Sequence, residues 1–158
     1  MAKKFNRFAV AQKNEEREAF NNNNCRRNLR QNERNMKKIL IADDEHKIIM
    51  TLEYAFKKAG YEVFIARDGS EVLELLKTEI PDMILLDIMM PNVDGYTTLS
   101  EIKKDKNLSG IKVILLSAKS GEADIKKGLE LGADDYITKP YSIKKLTERV
   151  EELLADKQ

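Results

Sequence analysis

What this chain of 158 residues lacks narrows its roles before any motif is read. It has a single cysteine, Cys25, so no intrachain disulfide can form, and its amino terminus has no apolar core of the kind found in secretory signals. Both absences predict a cytoplasmic protein. No apolar run approaches the roughly 20 residues that a membrane-spanning helix needs, so a soluble chain without a membrane partner is expected. Neither the glycine-rich dinucleotide fingerprint nor a phosphate-binding loop with Gly-Lys-Ser/Thr is present, which weakens a nucleotide-binding reading.

What remains is enough for one ordinary domain, since 42% hydrophobic residues in 18.2 kDa can bury a sizeable core without disulfides. The formal net charge of +1 conceals an asymmetry. Residues 1–35 hold nine Lys or Arg against four Glu, leaving 19 basic against 23 acidic in the remainder. The first segment also holds nine Asn, four of them consecutive at positions 21–24, and shows no sustained apolar period. A disordered, basic, Asn-rich extension over 1–35 is therefore expected, with a short helix over 8–20 conceivable from its helix formers. A nucleic-acid-binding tail is the functional rival, weakened by the acids that interrupt the basic residues. At Met36 the character changes to MKKILIADDE, and the folded domain is expected over 36–158, with Met36 itself a candidate natural start.

From Met36 onward, runs of Ile, Leu and Val alternate with helix-length amphipathic stretches. The pattern predicts strands at 38–42, 61–66, 82–87, 112–117 and 136–138, and helices at about 48–59, 70–77, 95–104, 121–131 and 142–155. The third strand, MILLD, is apolar at consecutive positions, as expected where helices cover both faces. Five strands alternating with five helices predict an α/β, doubly wound, five-stranded parallel sheet of order 2-1-3-4-5, a flavodoxin-like arrangement.

In such a sheet the functional crevice lies beyond the carboxyl ends of the strands, where the strand order reverses. Those ends carry Asp43 and Asp44, Asp87, Ser117 and Lys139 in this chain, far apart in sequence. Each alone reads as a cap, a turn former or solvated surface; together they read as a site. Three neighbouring carboxylates repel one another and call for a cation, and Mg2+ suits an all-oxygen site with room for phosphoryl oxygens better than Ca2+ does. A carboxylate there can act as a nucleophile and form an acyl phosphate if Mg2+ and Lys139 offset the charge of the transferring group.

The segments ILIADDE (39–45), MILLDIMMPNVDG (83–95), VILLSA (113–118) and GADDYITKP (132–140) stand in the order and approximate spacing of response-regulator receivers, which this chain resembles over 37–156. Asp44 lies 43 positions before Asp87, Ser117 lies 30 after it, and Lys139 another 22 on. The resemblance implies that Asp87 accepts a phosphoryl group from the phosphohistidine of a sensor histidine kinase. It makes Asp44 a direct Mg2+ ligand, Asp43 a ligand through water, and the Met89 carbonyl the remaining protein ligand. Ser117 resembles the hydroxyl that bonds a phosphoryl oxygen, Lys139 the family's cation, and Tyr136 the aromatic switch that turns inward as Ser117 moves. Pro140 resembles a position preceded by a cis peptide bond. Pro91, Asp94 and Gly95 are expected only to shape the loop and start the third helix. His46, the only histidine, invites a reading as a phosphohistidine or metal ligand, but its place in the first turn of the first helix predicts exposed surface or a kinase contact.

Such a chain catalyses its own phosphotransfer and dephosphorylation, with no separate enzymatic output, and its output is expected to be contact with a downstream effector protein. Because it ends at Gln158, a stand-alone receiver without a DNA-binding domain is expected. The run GLELGADDYITKPYS resembles receivers of the transcription-factor subfamily that pair through the helix four, strand five, helix five face. Ile125 and Lys145 replace a basic and an acidic partner there while Arg149 is kept, so a monomer is expected, with weak phosphorylation-dependent dimerisation as the alternative. Two rivals stand beside this reading. A Mg2+-dependent phosphatase of the haloacid dehalogenase type would need a second Asp where Met89 stands, and a pseudo-receiver would act without phosphorylation.

Overall fold

Three runs, KILIA, MILLD and KVILLS, are apolar except at their ends, and they form the central strands of the sheet. A computed structural model of the chain describes residues 25–27 and 36–155. The chain divides into two units after Met36, and the second, Lys37–Gln158, holds every strand of the described residues. In chain order its elements are β1 (Lys38–Ala42), α1 (His46–Lys58), β2 (Glu62–Ala66), α2 (Gly69–Leu75), β3 (Met83–Asp87), α3 (Gly95–Lys104), β4 (Lys112–Ser117), α4 (Glu122–Glu130), β5 (Asp135–Thr138) and α5 (Ile143–Ala155). All neighbouring strands pair in parallel, in the order β2-β1-β3-β4-β5. The helix over 8–20 and most of the extension over 1–35 lie outside the described residues; Cys25–Arg27 are helical and exposed.

The two-residue period of the strands sends alternate side chains to opposite faces and so builds two cores. Leu40, Ile84, Leu86, Val113 and Leu115 face Val72 of α2 and Tyr96, Leu99 and Ile102 of α3. Ile39, Ile41, Leu85, Ile114 and Leu116 face Leu52 and Phe56 of α1 and Leu146 and Val150 of α5.

Element ends differ from the periodic reading by one or two residues, and each difference has a local cause. Helix α1 begins at His46 rather than at residue 48, because its first two residues, His46 and Lys47, are polar and carry no apolar signal. Tyr61 stays out of β2: its N–H donates to the Phe56 carbonyl at 3.0 Å and its ring meets that of Phe56 edge-on, so it closes the helix instead. Helix α2 stops at Leu75 because Lys77 and Thr78 donate to carbonyls three residues back, a tighter turn. Helices α4 and α5 each begin one residue later than expected, α4 also ends one earlier, β3 starts one later and β5 one earlier.

The loop between β3 and α3 matters most for the site. Asp94 caps α3 by accepting from the Thr97 N–H at 2.8 Å, and Asn92, at a φ of 65°, donates to Asp68 at 2.8 Å, tying the loop to the cap of α2. Gly95 lies so close to the end of β3 that an added Cβ would stand 2.4 Å from the Asp87 carbonyl oxygen and 2.7 Å from the Ile88 Cα. Backbone atoms cannot yield as a side chain can. Gly95→Ala is expected to cost about 1–3 kcal/mol through forced displacement of α3 or of the strand end. A urea midpoint unchanged from that of the parent would contradict this packing.

Candidate functional site

The reversal of strand order falls between β1 and β3, and the two strands end in register there, Ala42 beside Leu86. Asp43 therefore follows β1 just where Asp87 closes β3. On the other side Ser117 ends β4 opposite Thr138, and Lys139 follows β5, its N–H donating to the Ser117 carbonyl at 2.8 Å. Four strand ends thus bring together side chains separated by up to 96 positions.

Asp43, Asp87 and Ser117 are buried, with relative exposures of 1%, 4% and 0%, while Asp44 is exposed. The Lys139 ammonium stands between the two buried acids, 3.1 Å from Asp43 Oδ2 and 3.4 Å from Asp87 Oδ2. Backbone donors hold the other carboxylate oxygens: Glu45 N–H lies 2.9 Å from Asp43 Oδ1, and Met89 N–H lies 3.2 Å from Asp87 Oδ1. Ser117 Oγ accepts from the Lys119 N–H at 3.1 Å. The peptide bond between Lys139 and Pro140 is cis.

One ammonium does not balance this much negative charge. Burial, and then the neighbouring charge of Asp43, push the Asp87 carboxyl up from 3.8 to about 6, although Lys139 and the Met89 N–H pull the other way. Burial works against the Lys139 cation, yet Asp43 and Asp87 outweigh it and its pKa lies above the ordinary lysine value. Asp43, Asp44 and Asp87 each bring one oxygen within 4.8 Å of the others. An all-oxygen set, short of positive charge and with one member exposed, fits a hard divalent cation such as Mg2+.

Tyr136 is turned inward: its ring is buried against the α2–α4 face and its hydroxyl donates to the Lys119 carbonyl at 2.7 Å. Met89 is 58% exposed. His46 is exposed at the start of α1 and is not among the acidic ligands. Arg149 is engaged within the chain, its Nε 2.7 Å from Asp135 and its Nη1 3.0 Å from Glu152. The periodic reading missed the backbone donors at Glu45 and Met89, which leave no trace in a pattern of residue types.

The model of the response regulator receiver domain matches residues 39–151, which takes in every residue of the acidic crevice. The chain belongs to the response regulator receiver family. Among curated relatives this receiver is 43% identical over 118 residues to the alkaline phosphatase synthesis transcriptional regulatory protein PhoP of Bacillus subtilis, covering 75% of this chain and 48% of that one. It is 47% identical over 120 residues to the probable transcriptional regulator ycf27 of Cyanophora paradoxa, covering 76% and 49%. The chain thus spans about half the length of these relatives. Among solved structures, the receiver domain of a Francisella response regulator is similar at a TM-score of 0.73 and 38% identity, covering 77% of this chain and 99% of that one. Receiver domains generally bind Mg2+ and partner with histidine kinases and effectors. No helix of the described residues is long and apolar enough to cross a membrane.

Proposed function

We propose that this receiver is a phosphorylatable switch in which Asp87 accepts a phosphoryl group from the phosphohistidine of a sensor histidine kinase. The observation that carries the reading is the Lys139 ammonium held between Asp43 and Asp87, with Asp44 exposed beside them. A carboxylate oxygen of Asp87 attacks phosphorus, the bond from phosphorus to the histidine nitrogen breaks, and the nitrogen leaves with the bonding pair and takes a proton. Lys139 holds positive charge beside the carboxylate that reacts, and the Ser117 hydroxyl at the end of β4 offers a donor to a phosphoryl oxygen. Asp43, Asp44, Asp87 and the Met89 carbonyl would hold Mg2+, which supplies the remaining charge compensation when bound.

The donor has a surface on which to dock. A cleft of about 480 Å³ beside Lys139 is lined by Ile48 and Thr51 of α1 and by Pro140 and Tyr141 after β5. In this reading the receiver comprises residues 36–158 after a basic extension, works in the cytoplasm, and signals by contact with an effector protein. Because Arg149 is already paired with Asp135 in its own chain, a monomer is the expected resting form, with weak dimerisation on phosphorylation as the alternative.

Acetyl phosphate with Mg2+ should add one phosphoryl group, released by hydroxylamine as an acyl phosphate would be. No adduct by mass spectrometry would overturn the reading. The adduct should also be long-lived. The second residue after Asp87 and the second after Ser117 are Met89 and Lys119, and neither carries a carboxylate or amide to orient a hydrolytic water. A lifetime of minutes or longer is expected for the purified protein; decay within seconds would show that another group positions the water.

A further inference from the structure

Two tyrosines from different elements hold the start of α4. Tyr136 of β5 donates its hydroxyl to the Lys119 carbonyl ahead of the helix, and Tyr96 of α3 donates to the Asp124 carbonyl in its first turn, at 3.0 Å. Both rings are buried in the same core. Lys127, three residues beyond Asp124, places its ammonium 4.4 Å from the centroid of the Tyr96 ring, within range of a cation–π attraction. Gly128 lets the helix rest on the other ring: an added Cβ there would lie 2.6 Å from Leu115 Cδ1 and 3.1 Å from Tyr136 Cδ2. The Tyr96 hydroxyl has its pKa pushed up to about 12, by burial first and then by the adjacent Tyr136, so it remains a hydrogen-bond donor throughout the working range.

These contacts depend on one position of α4. Were Tyr136 to swing out, the gap beneath Gly128 would open and the helix could shift only by breaking the bond from Tyr96 to Asp124 and moving Lys127 off the ring. Tyr96 also follows Gly95, the residue packed against the Asp87 carbonyl, so the chain runs from the acid to this clamp within ten positions. We propose that Tyr96 is a positioning residue of the switch: its hydroxyl on Asp124 and its ring under Lys127 hold α4 where Tyr136 is turned inward, which favours the form that carries a phosphoryl group on Asp87. The inference rests on the reading of Asp87 and Tyr136 given above and adds a residue that this reading does not use.

The test uses the whole chain with Mg2+ and beryllofluoride, a mimic of the phosphoryl group, followed by tyrosine fluorescence, since the chain has five Tyr and no Trp. Tyr96→Phe removes one hydroxyl and keeps the ring. It should weaken beryllofluoride binding roughly threefold to tenfold, the effect of one hydrogen bond, and leave Mg2+ affinity unchanged. It should also speed amide exchange in the first turn of α4. Lys127→Met should act in the same direction, and in a Tyr136→Ala background Tyr96→Phe should add little. A Tyr96→Phe protein with a lower Tm but unaltered beryllofluoride affinity would reduce Tyr96 to a packing residue and overturn the inference, as would an undiminished penalty in the Tyr136→Ala background. Failure of the parent protein itself to bind beryllofluoride would overturn the reading of Asp87, and this inference with it.

Discussion

Asp87→Asn is expected to abolish labelling by acetyl phosphate or phosphoramidate, lowering the rate on the order of a thousandfold or more because the amide oxygen is a poor nucleophile. The substitution is nearly isosteric, and Lys139 keeps its contact with Asp43 at 3.1 Å, so the loss cannot be assigned to a collapsed site. Asp43 and Asp44 carry carboxylates in the same crevice and serve as the internal comparison. If either were the true nucleophile, Asp87→Asn would still gain a phosphoryl group, and peptide mapping would find it on the β1 side. Undiminished labelling of Asp87→Asn would end the assignment.

The same substitution should stabilise the protein once Mg2+ is removed. The Asp87 carboxyl is pushed up from the ordinary 3.8 to about 6 in the folded chain, chiefly by burial and then by Asp43. A pKa raised by folding means that the folded state binds the proton more tightly than the unfolded state does. The resulting stability is fully present below about pH 4 and is lost as pH rises through 6. At pH 7 in EDTA the ionised Asp87 is therefore a burden of about 1–3 kcal/mol, which Asp87→Asn relieves. Urea unfolding should place the variant above the parent at pH 7 and show the difference shrinking toward pH 4. Adding Mg2+ should stabilise the parent more than the variant, because a bound cation favours the charged carboxylate. A variant less stable than the parent at pH 7 in EDTA would mean that the contacts of Asp87 with Lys139 and the Met89 N–H outweigh its desolvation.

Much of this was legible from the chain as written. Strand and helix order followed from the alternation of apolar runs, because burial on one face or two imposes different periods. Helix α3 and strand β4 were located to the residue, since Asp94-Gly95 and Ser117 mark their ends with chemistry as well as hydropathy. The ends of α1, α2 and β2 were less legible, because the polar pair His46-Lys47, a tightened last turn and the ring of Tyr61 on Phe56 are local features that apolar spacing does not encode.

For the site, residue types at the strand ends were enough to nominate Asp43, Asp44, Asp87, Ser117 and Lys139, because a parallel sheet gathers whatever stands at its carboxyl edge. Only the tertiary structure decided how they share charge: which acids are buried, that Lys139 lies between Asp43 and Asp87, and that backbone N–H groups of Glu45 and Met89 take the remaining oxygens. It also decided the place of Tyr96, which nothing in the sequence distinguished from an ordinary core aromatic. The physical reason is the same in each case. Periodicity reports which face of an element is buried, whereas distances of 3 Å between side chains from different elements depend on how those elements pack, and packing is written in no single stretch of the chain.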